Sequence, residues 1–163
     1  MKRIGVISDT HSWWDEKYVH HFADCDEIWH AGDIGSGLII DRLENICQVR
    51  AVRGNIDGQD LRKRFAEVLR FNVEECNIIM KHIGGYPGKY DMSIRNAIYK
   101  EKPDIFVAGH SHILKIQYDN IIECMHINPG AAGKQGWQHV RTLVKFVIDG
   151  KKIKELEIIE LTD

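Results

Sequence analysis

The sequence predicts a mixed α/β fold with two β-sheets and outer helices, and two observations carry that prediction. Over the first third, short apolar strands alternate with helical stretches, whereas from residue 114 onward the pattern is strand alone. Strand–loop–helix repetition requires parallel strands joined by crossover helices, because a tight turn cannot reach a parallel neighbour. Consecutive strands separated by turn dipeptides require antiparallel hairpins instead. One doubly wound sheet does not account for both halves.

Residues 2–8 form a β-branched run closing on Ser8-Asp9-Thr10-His11, a strand that delivers polar side chains at its C-terminal end. Residues 15–23 are weakly helical, and 26–30 read as a second strand closed by Ala31-Gly32-Asp33. Ser36 is placed to cap a helix through residue 45, with Leu38, Ile39, Arg42 and Leu43 at helical spacing. A third strand over 48–53 ends in Gly54-Asn55. Residues 66–72 and 77–82 form a strand pair, and a helix over 93–100 stops near Pro103, which disfavours helix in the residue before it. After a short strand at 104–108, strands follow at 114–118, 121–127, 140–148 and 152–160. Asp119-Asn120 and Asp149-Gly150-Lys151 supply hairpin turns between them. No repeat, low-complexity tract or linker interrupts the chain, so residues 1–163 are expected to form one domain, of a size that buries roughly 70% of its unfolded surface.

The charge balance narrows the partners. Lys and Arg number 22 against 24 Asp and Glu, a net −2, and no basic platform accompanies it. A dedicated nucleic-acid binder or nuclease is therefore not expected, while a small phosphorylated substrate meeting a local positive site remains compatible. The four cysteines, at 25, 47, 76 and 124, contain no close pair and read as reduced thiols. Lys2 and Arg3 lead straight into the first strand without a leader-like apolar segment, and no run approaches the ~18 apolar residues of a membrane span. A cytoplasmic location and no membrane contact are the expectation; the oligomeric state is left open.

Five apolar runs end, on their C-terminal side, in Asp9-Thr10-His11, Gly32-Asp33, Gly54-Asn55, His82 and Gly109-His110-Ser111-His112. Ligands of α/β sheets bind at that edge, where loops from different strands meet. Each block alone is ordinary: Asp9 suits a cap, Asp33 and Asn55 suit turns after glycine, and His82 suits a half-buried hydrogen-bonded histidine. The ordered set is what points to metal. Carboxylate, amide oxygen and imidazole together fit manganese, iron, nickel or zinc, while calcium or magnesium would take oxygen almost alone. No thiolate accompanies them, which argues against a structural zinc. His110 and His112, read as alternate residues of a strand, face one side and are expected to reach a common ion. Seven ligands exceed the need of one ion but suit two if a carboxylate bridges. Such pairs, ~3.5–4 Å apart, stabilise both attacking and leaving oxygens of an in-line displacement.

In this order the motifs Asp-x-His, Gly-Asp, Gly-Asn, His and Gly-His-x-His resemble the calcineurin-like metallophosphoesterase superfamily, most of all its short bacterial and archaeal phosphodiesterases, over residues 4–133. The resemblance implies a two-sheet sandwich flanked by helices. It implies that Asp9, His11, Asp33 and His112 hold one divalent ion and that Asp33, Asn55, His82 and His110 hold a second, Asp33 bridging. Manganese comes first among the implied ions, with Asn55 also touching the substrate phosphate. The implied nucleophile is a hydroxide bridging the metals, so no side-chain nucleophile is required. The implied activity is hydrolysis of a phosphodiester.

Two departures stand out. Many members carry a histidine after Gly-Asn as general acid, but here the residue is Ile56, followed by Asp57, the residue that would orient that histidine. Where relatives often read His-Gly-His, this chain has His82-Ile83-Gly84-Gly85, and a wider pocket at Gly84 is expected. The rival reading is a non-catalytic protein-interaction scaffold of the same fold, as in the small subunit of the retromer coat; that reading expects eroded ligands. Outside the motifs, His30 reads as a buried, hydrogen-bonded histidine, and Trp13 and Trp14 as a pocket wall or a loop anchor. Arg50, Arg53, Arg62, Lys63, Arg64 and Arg70 read as a solvated basic face.

Overall fold

The structure, a computed structural model, describes residues 1–162. Its first sheet grows from β1 (Lys2–Ile7), β2 (Glu27–His30) and β3 (Gln48–Ala51), joined by α1 (Lys17–Phe22) and α2 (Gly37–Glu44). These strands run parallel, as crossover helices demand. Helix α3 (Gln59–Arg64) leads to the second sheet, which begins with the antiparallel pair β4 (Val68–Val73) and β5 (Cys76–Lys81). A small hairpin of β6 (Gly85–Tyr86) and β7 (Lys89–Tyr90) precedes α4 (Met92–Glu101) and β8 (Ile105–Val107). Strands β9 (Leu114–Asp119) and β10 (Cys124–Pro129) complete that sheet. The chain then returns to the first sheet through β11 (Arg141–Asp149) and β12 (Lys152–Leu161). The sheet orders are β12-β11-β1-β2-β3 and β4-β5-β8-β10-β9, each mixing parallel and antiparallel neighbours.

The alternation of side chains assigns each face. Ile4 and Val6 of β1, Val144 and Phe146 of β11, Ile78 and Met80 of β5, and Ile105 and Val107 of β8 fill the space between the sheets. The opposite face of the first sheet packs Ile7 and Ile28 against Tyr18 and Phe22 of α1 and Ile39, Ile40 and Leu43 of α2. The opposite face of the second packs Ile79 and Phe106 against Ile94 and Ile98 of α4. Each such side chain contributes roughly 1.5–3 kcal/mol on burial, so the three layers of apolar contact hold a helix–sheet–sheet–helix stack. The predicted sandwich flanked by helices is the observed one.

Local signals behave as read. The Leu38 N–H donates to Ser36 Oγ at 3.2 Å, capping α2, and α4 ends on a left-handed Lys102 just before Pro103. Three short elements escape sequence reading. Helix α3 buries only Leu61, so it carries no apolar stripe, and β6 and β7 have two residues each, too few for a period. All four cysteines are free thiols, and burial pushes those of Cys25 and Cys124 up to about 12. Among the described residues no helix is long and apolar enough to cross a membrane.

Candidate metal centre

Strand register builds the site. Ile7 pairs with His30 and His30 with Ala51, so the three parallel strands end level and their loops start side by side. In the second sheet Met80 pairs with Val107, bringing the segments after β5 and β8 together. Backbone bonds lace the loops: the N–H groups of Asp9, His11 and Ser12 donate to Gly32, Asp33 and Ile34 carbonyls, and that of Gly109 to His82. The His110 N–H crosses between sheets to Asp9 Oδ2 at 3.1 Å. At Gly54 a Cβ would lie 2.1 Å from Asp33 Oδ1, so only glycine lets this backbone approach the carboxylate.

The loops hold unusual backbone shapes. Asp9 (φ 54°), His11 (φ 43°), Asp33 (φ 53°), His110 (φ 71°) and His112 (φ 62°) are all left-handed. Such conformations cost of order 1–3 kcal/mol each and persist where the surroundings over-determine them, most often at functional sites.

The seven residues named by the sequence motifs meet at this rim, in two groups. Asp9, His11 and His112 form one set with ligand-type atoms mutually within 4.8 Å, and Asp33, His82 and His110 form another. His112 Nε2 is 3.2 Å from Asp9 Oδ1, His82 Nε2 is 3.2 Å from Asp33 Oδ2, and His110 Nδ1 is 3.2 Å from Asn55 Oδ1. The two groups touch through Asp33, whose Oδ2 lies 3.5 Å from His11 Nε2. Two ligand atoms bonded at ~2.1 Å to one ion stand about 3 Å apart, which is the spacing of these pairs.

The expectation that His110 and His112 share an ion is corrected. They lie between strands rather than in one, and with both residues left-handed the alternation of a strand does not apply. His110 joins Asp33 and His82 while His112 joins Asp9 and His11.

Whether this set fits a cation is answered by three atoms. Asp9 Oδ1, His11 Nε2 and His82 Nε2 are buried without a hydrogen-bond partner. His82 Nε2 sits 3.2 Å from Asp33 Oδ2 and 3.8 Å from Asp9 Oδ1. Buried polar atoms without partners are rare and costly, and Asp9 Oδ1 lies 3.8 Å from each of the two nitrogens. Cations held in the two groups would satisfy all three atoms.

The tautomers agree. His82 Nδ1 donates to the Ala31 carbonyl at 2.7 Å and His112 Nδ1 to Gln138 Oε1 at 3.0 Å, so in the neutral ring, the form a metal binds, each Nε2 lone pair faces inward. Gln138 is oriented by its own amide, which donates to the Gly133 and Gln135 carbonyls. Burial opposes the charge of Asp9 most strongly, but the His11 and His112 imidazoles, His82 and the Ser8 hydroxyl outweigh it and hold the carboxyl far below its usual range. Burial likewise opposes, and His82 overcomes, for Asp33. Both carboxylates are thus ionised.

Supporting groups complete the rim. The fully buried His30 accepts from the Gly32 N–H at Nδ1, so Nε2 carries the proton and donates to Thr10 Oγ1, which donates to the Ile34 carbonyl. The carboxylate of Asp57 accepts three backbone N–H groups, from Ile34, Gly35 and Gly54, and so clamps two ligand loops together. Ile56 donates its N–H to Asp33 Oδ1 while its side chain is half exposed and offers no proton. Trp14 is a loop anchor, edge-on to Tyr18 with Arg42 over its ring. A Cβ at Gly84 would sit 2.4 Å from the Phe106 ring, so close packing requires the glycine, and Gly84 also lines a cavity with Ile83, Gly85 and His110. Gln138 was invisible to sequence reading, since it lies in a loop 26 residues beyond His112 with no motif around it.

Fold and rim together define a metal-binding phosphoesterase architecture. The calcineurin-like phosphoesterase superfamily domain matches residues 1–151, and the chain belongs to that superfamily. A probable metallophosphoesterase of Methanothermobacter thermautotrophicus is 31% identical, the alignment covering 96% of this chain and 91% of that protein. A solved archaeal phosphodiesterase superposes with a TM-score of 0.78 at 23% identity, over 98% of this chain and 99% of that one. Vps29 of Chaetomium thermophilum superposes at 0.76 with 13% identity, over 99% and 97% of the two chains, a likeness of fold.

Proposed function

We propose that the protein hydrolyses a phosphodiester with two divalent ions, one held by Asp9, His11, Asp33 and His112 and the other by Asp33, Asn55, His82 and His110. The observation that carries this reading is that an unpartnered carboxylate oxygen of Asp9 and the unpartnered Nε2 atoms of His11 and His82 are buried together beside the Asp33 carboxylate. Bound there, the ions supply charge to hold a phosphate and to acidify a water. The chain's own part is to fix the ligands, to keep imidazole lone pairs inward, and to let Asn55, at the edge of the site, contact the phosphate as well. Manganese is the first ion to try, since the mixed oxygen and nitrogen set suits it, iron, nickel and zinc.

A diester is favoured over a monoester by the room beside the site. A cavity of about 220 Å³ opens next to Asn55 and His82, and another of about 370 Å³ opens next to His110 and Ser111. Two ester arms have somewhere to go. The complete ligand set supports catalysis over a scaffold role, which requires no ligands, and the four free thiols suit a cytoplasmic setting. The test is hydrolysis of bis-p-nitrophenyl phosphate against p-nitrophenyl phosphate with added Mn²⁺, beside Asp33→Ala. Metal-dependent turnover with the diester preferred, lost in the variant, is expected. No metal-dependent turnover of either ester, or an undiminished variant, overturns the proposal in favour of the scaffold.

A further inference from the structure

The smaller of the two cavities is lined by three cations. Arg53, Arg62 and Lys81 face it together with Gly54, Asn55, Glu67, His82 and Ile83. In a chain of net charge −2, such a concentration is not a consequence of composition. Lys81 is only 5% exposed, and its ammonium donates to the Ile83 carbonyl at 2.9 Å. Arg53 donates to the Phe65 carbonyl and Arg62 to the Asp57 carbonyl, so both guanidinium groups are fixed by backbone and keep further N–H donors.

The opposing charge is weak. Glu67 is the sole carboxylate of the lining, largely exposed, with oxygens 3.7 Å from Lys81 Nζ and 4.0 Å from Arg53. Pairs so long and so open to water contribute little. Arg62 makes no ion pair among the described residues. A lysine only 5% exposed, with one carbonyl and one distant exposed carboxylate as partners, beside two backbone-held arginines leaves positive charge that an entering anion would offset. Guanidinium forks suit phosphate in particular.

We infer that this cavity is a subsite for a second phosphate group of the substrate, carried on the ester arm that leaves the metal rim past Asn55 and His82. The substrate class is then a phosphodiester with a further phosphate on one arm, while the larger cavity, walled by Ile83, Tyr86 and Ile113, takes the less polar arm. The substrate half of this inference rests on the proposed phosphodiesterase activity; anion binding by the cavity does not.

Two measurements separate the halves. Inorganic phosphate is titrated into the full chain without added metal, following the backbone amides of Gly54, Lys81 and Ile83 by NMR. Saturable shifts at these amides are expected, weakened about 10-fold or more in Arg53→Met, since a charge-assisted hydrogen bond is lost. Glu67→Gln removes the competing carboxylate and should tighten binding roughly 2- to 5-fold. Arg53→Lys, which keeps the charge, recovers part of the loss and guards against misfolding. Absence of saturable shifts, or equal affinity in all four proteins, overturns the subsite whatever the enzyme does. With Mn²⁺ present, a p-nitrophenyl diester whose other arm ends in phosphate should exceed the same diester ending in hydroxyl in kcat/KM, and Arg53→Met should reduce that ratio about 10-fold. An unchanged ratio beside intact phosphate binding overturns the substrate assignment alone, and absent turnover of both diesters refutes the phosphodiesterase reading instead.

Discussion

Replacing His126 with phenylalanine removes a buried proton acceptor that the fold leaves unused. The His126 ring is fully buried, stacked on Phe106 with centroids 5.6 Å apart, and neither ring nitrogen has a partner. Burial, only partly offset by the Phe106 backbone and reinforced by Lys115, lowers its pKa to about 4. In the unfolded chain the ring titrates near its ordinary value of ~6.5. Above that value both states are neutral and the histidine adds nothing to the pH dependence. As pH falls from ~6.5 toward 4, the unfolded state binds the proton and the folded state does not, so stability is lost over that window. Between about pH 7.5 and about pH 5 the loss comes to about 2 kcal/mol. His126→Phe keeps the stacked ring and abolishes this component, while any steric cost of the larger ring is equal at both pH values. Urea denaturation of both proteins at the two pH values reads the difference. The variant should gain about 2 kcal/mol on the wild type as the pH is lowered. A gap that stays constant with pH would show that the ring finds a partner or water, and would refute the reasoning.

Two further outcomes follow from the rim. Ile56→His puts a proton donor beside Asn55 and should accelerate alkyl diesters more than p-nitrophenyl diesters, up to the ~10²–10⁴-fold of general acid catalysis; equal acceleration in a paired kcat comparison counts against it. Asp57→Asn turns an NH₂ group toward backbone N–H donors that now point at a carboxylate. It should cost about 1–3 kcal/mol by thermal unfolding and weaken manganese affinity in calorimetry, and retention of both would mean that the clamp is redundant.

Most of the fold was legible because its signals are local. Strand periods, the Ser36 cap and the proline stop each need only a few neighbouring residues, and they survive in the structure. Helix α3 was not, since its one buried residue, Leu61, is held by contacts made after folding. In the site, all seven motif residues reach one rim because each follows an apolar strand, and parallel register aligns strand ends. What failed was inference from strand geometry where no strand exists, at His110 and His112. What was unreadable was tertiary: Gln138 bonding His112, and Arg53 and Arg62 coming together with Lys81 around one cavity.

The left-handed loops of the rim have a consequence for how this sequence can change. Asp, Asn and His are the side-chain-bearing residues that tolerate that backbone best, and they are also hard or borderline metal ligands. At Asp9, His11, Asp33, His110 and His112 the chemistry and the backbone therefore restrict the choice to the same few residues. Glycine alone relaxes the backbone further, and it removes the side chain. A selection for heat resistance in the absence of metal would thus favour changes such as His110→Gly, moving the protein toward greater stability and away from its site at the same positions.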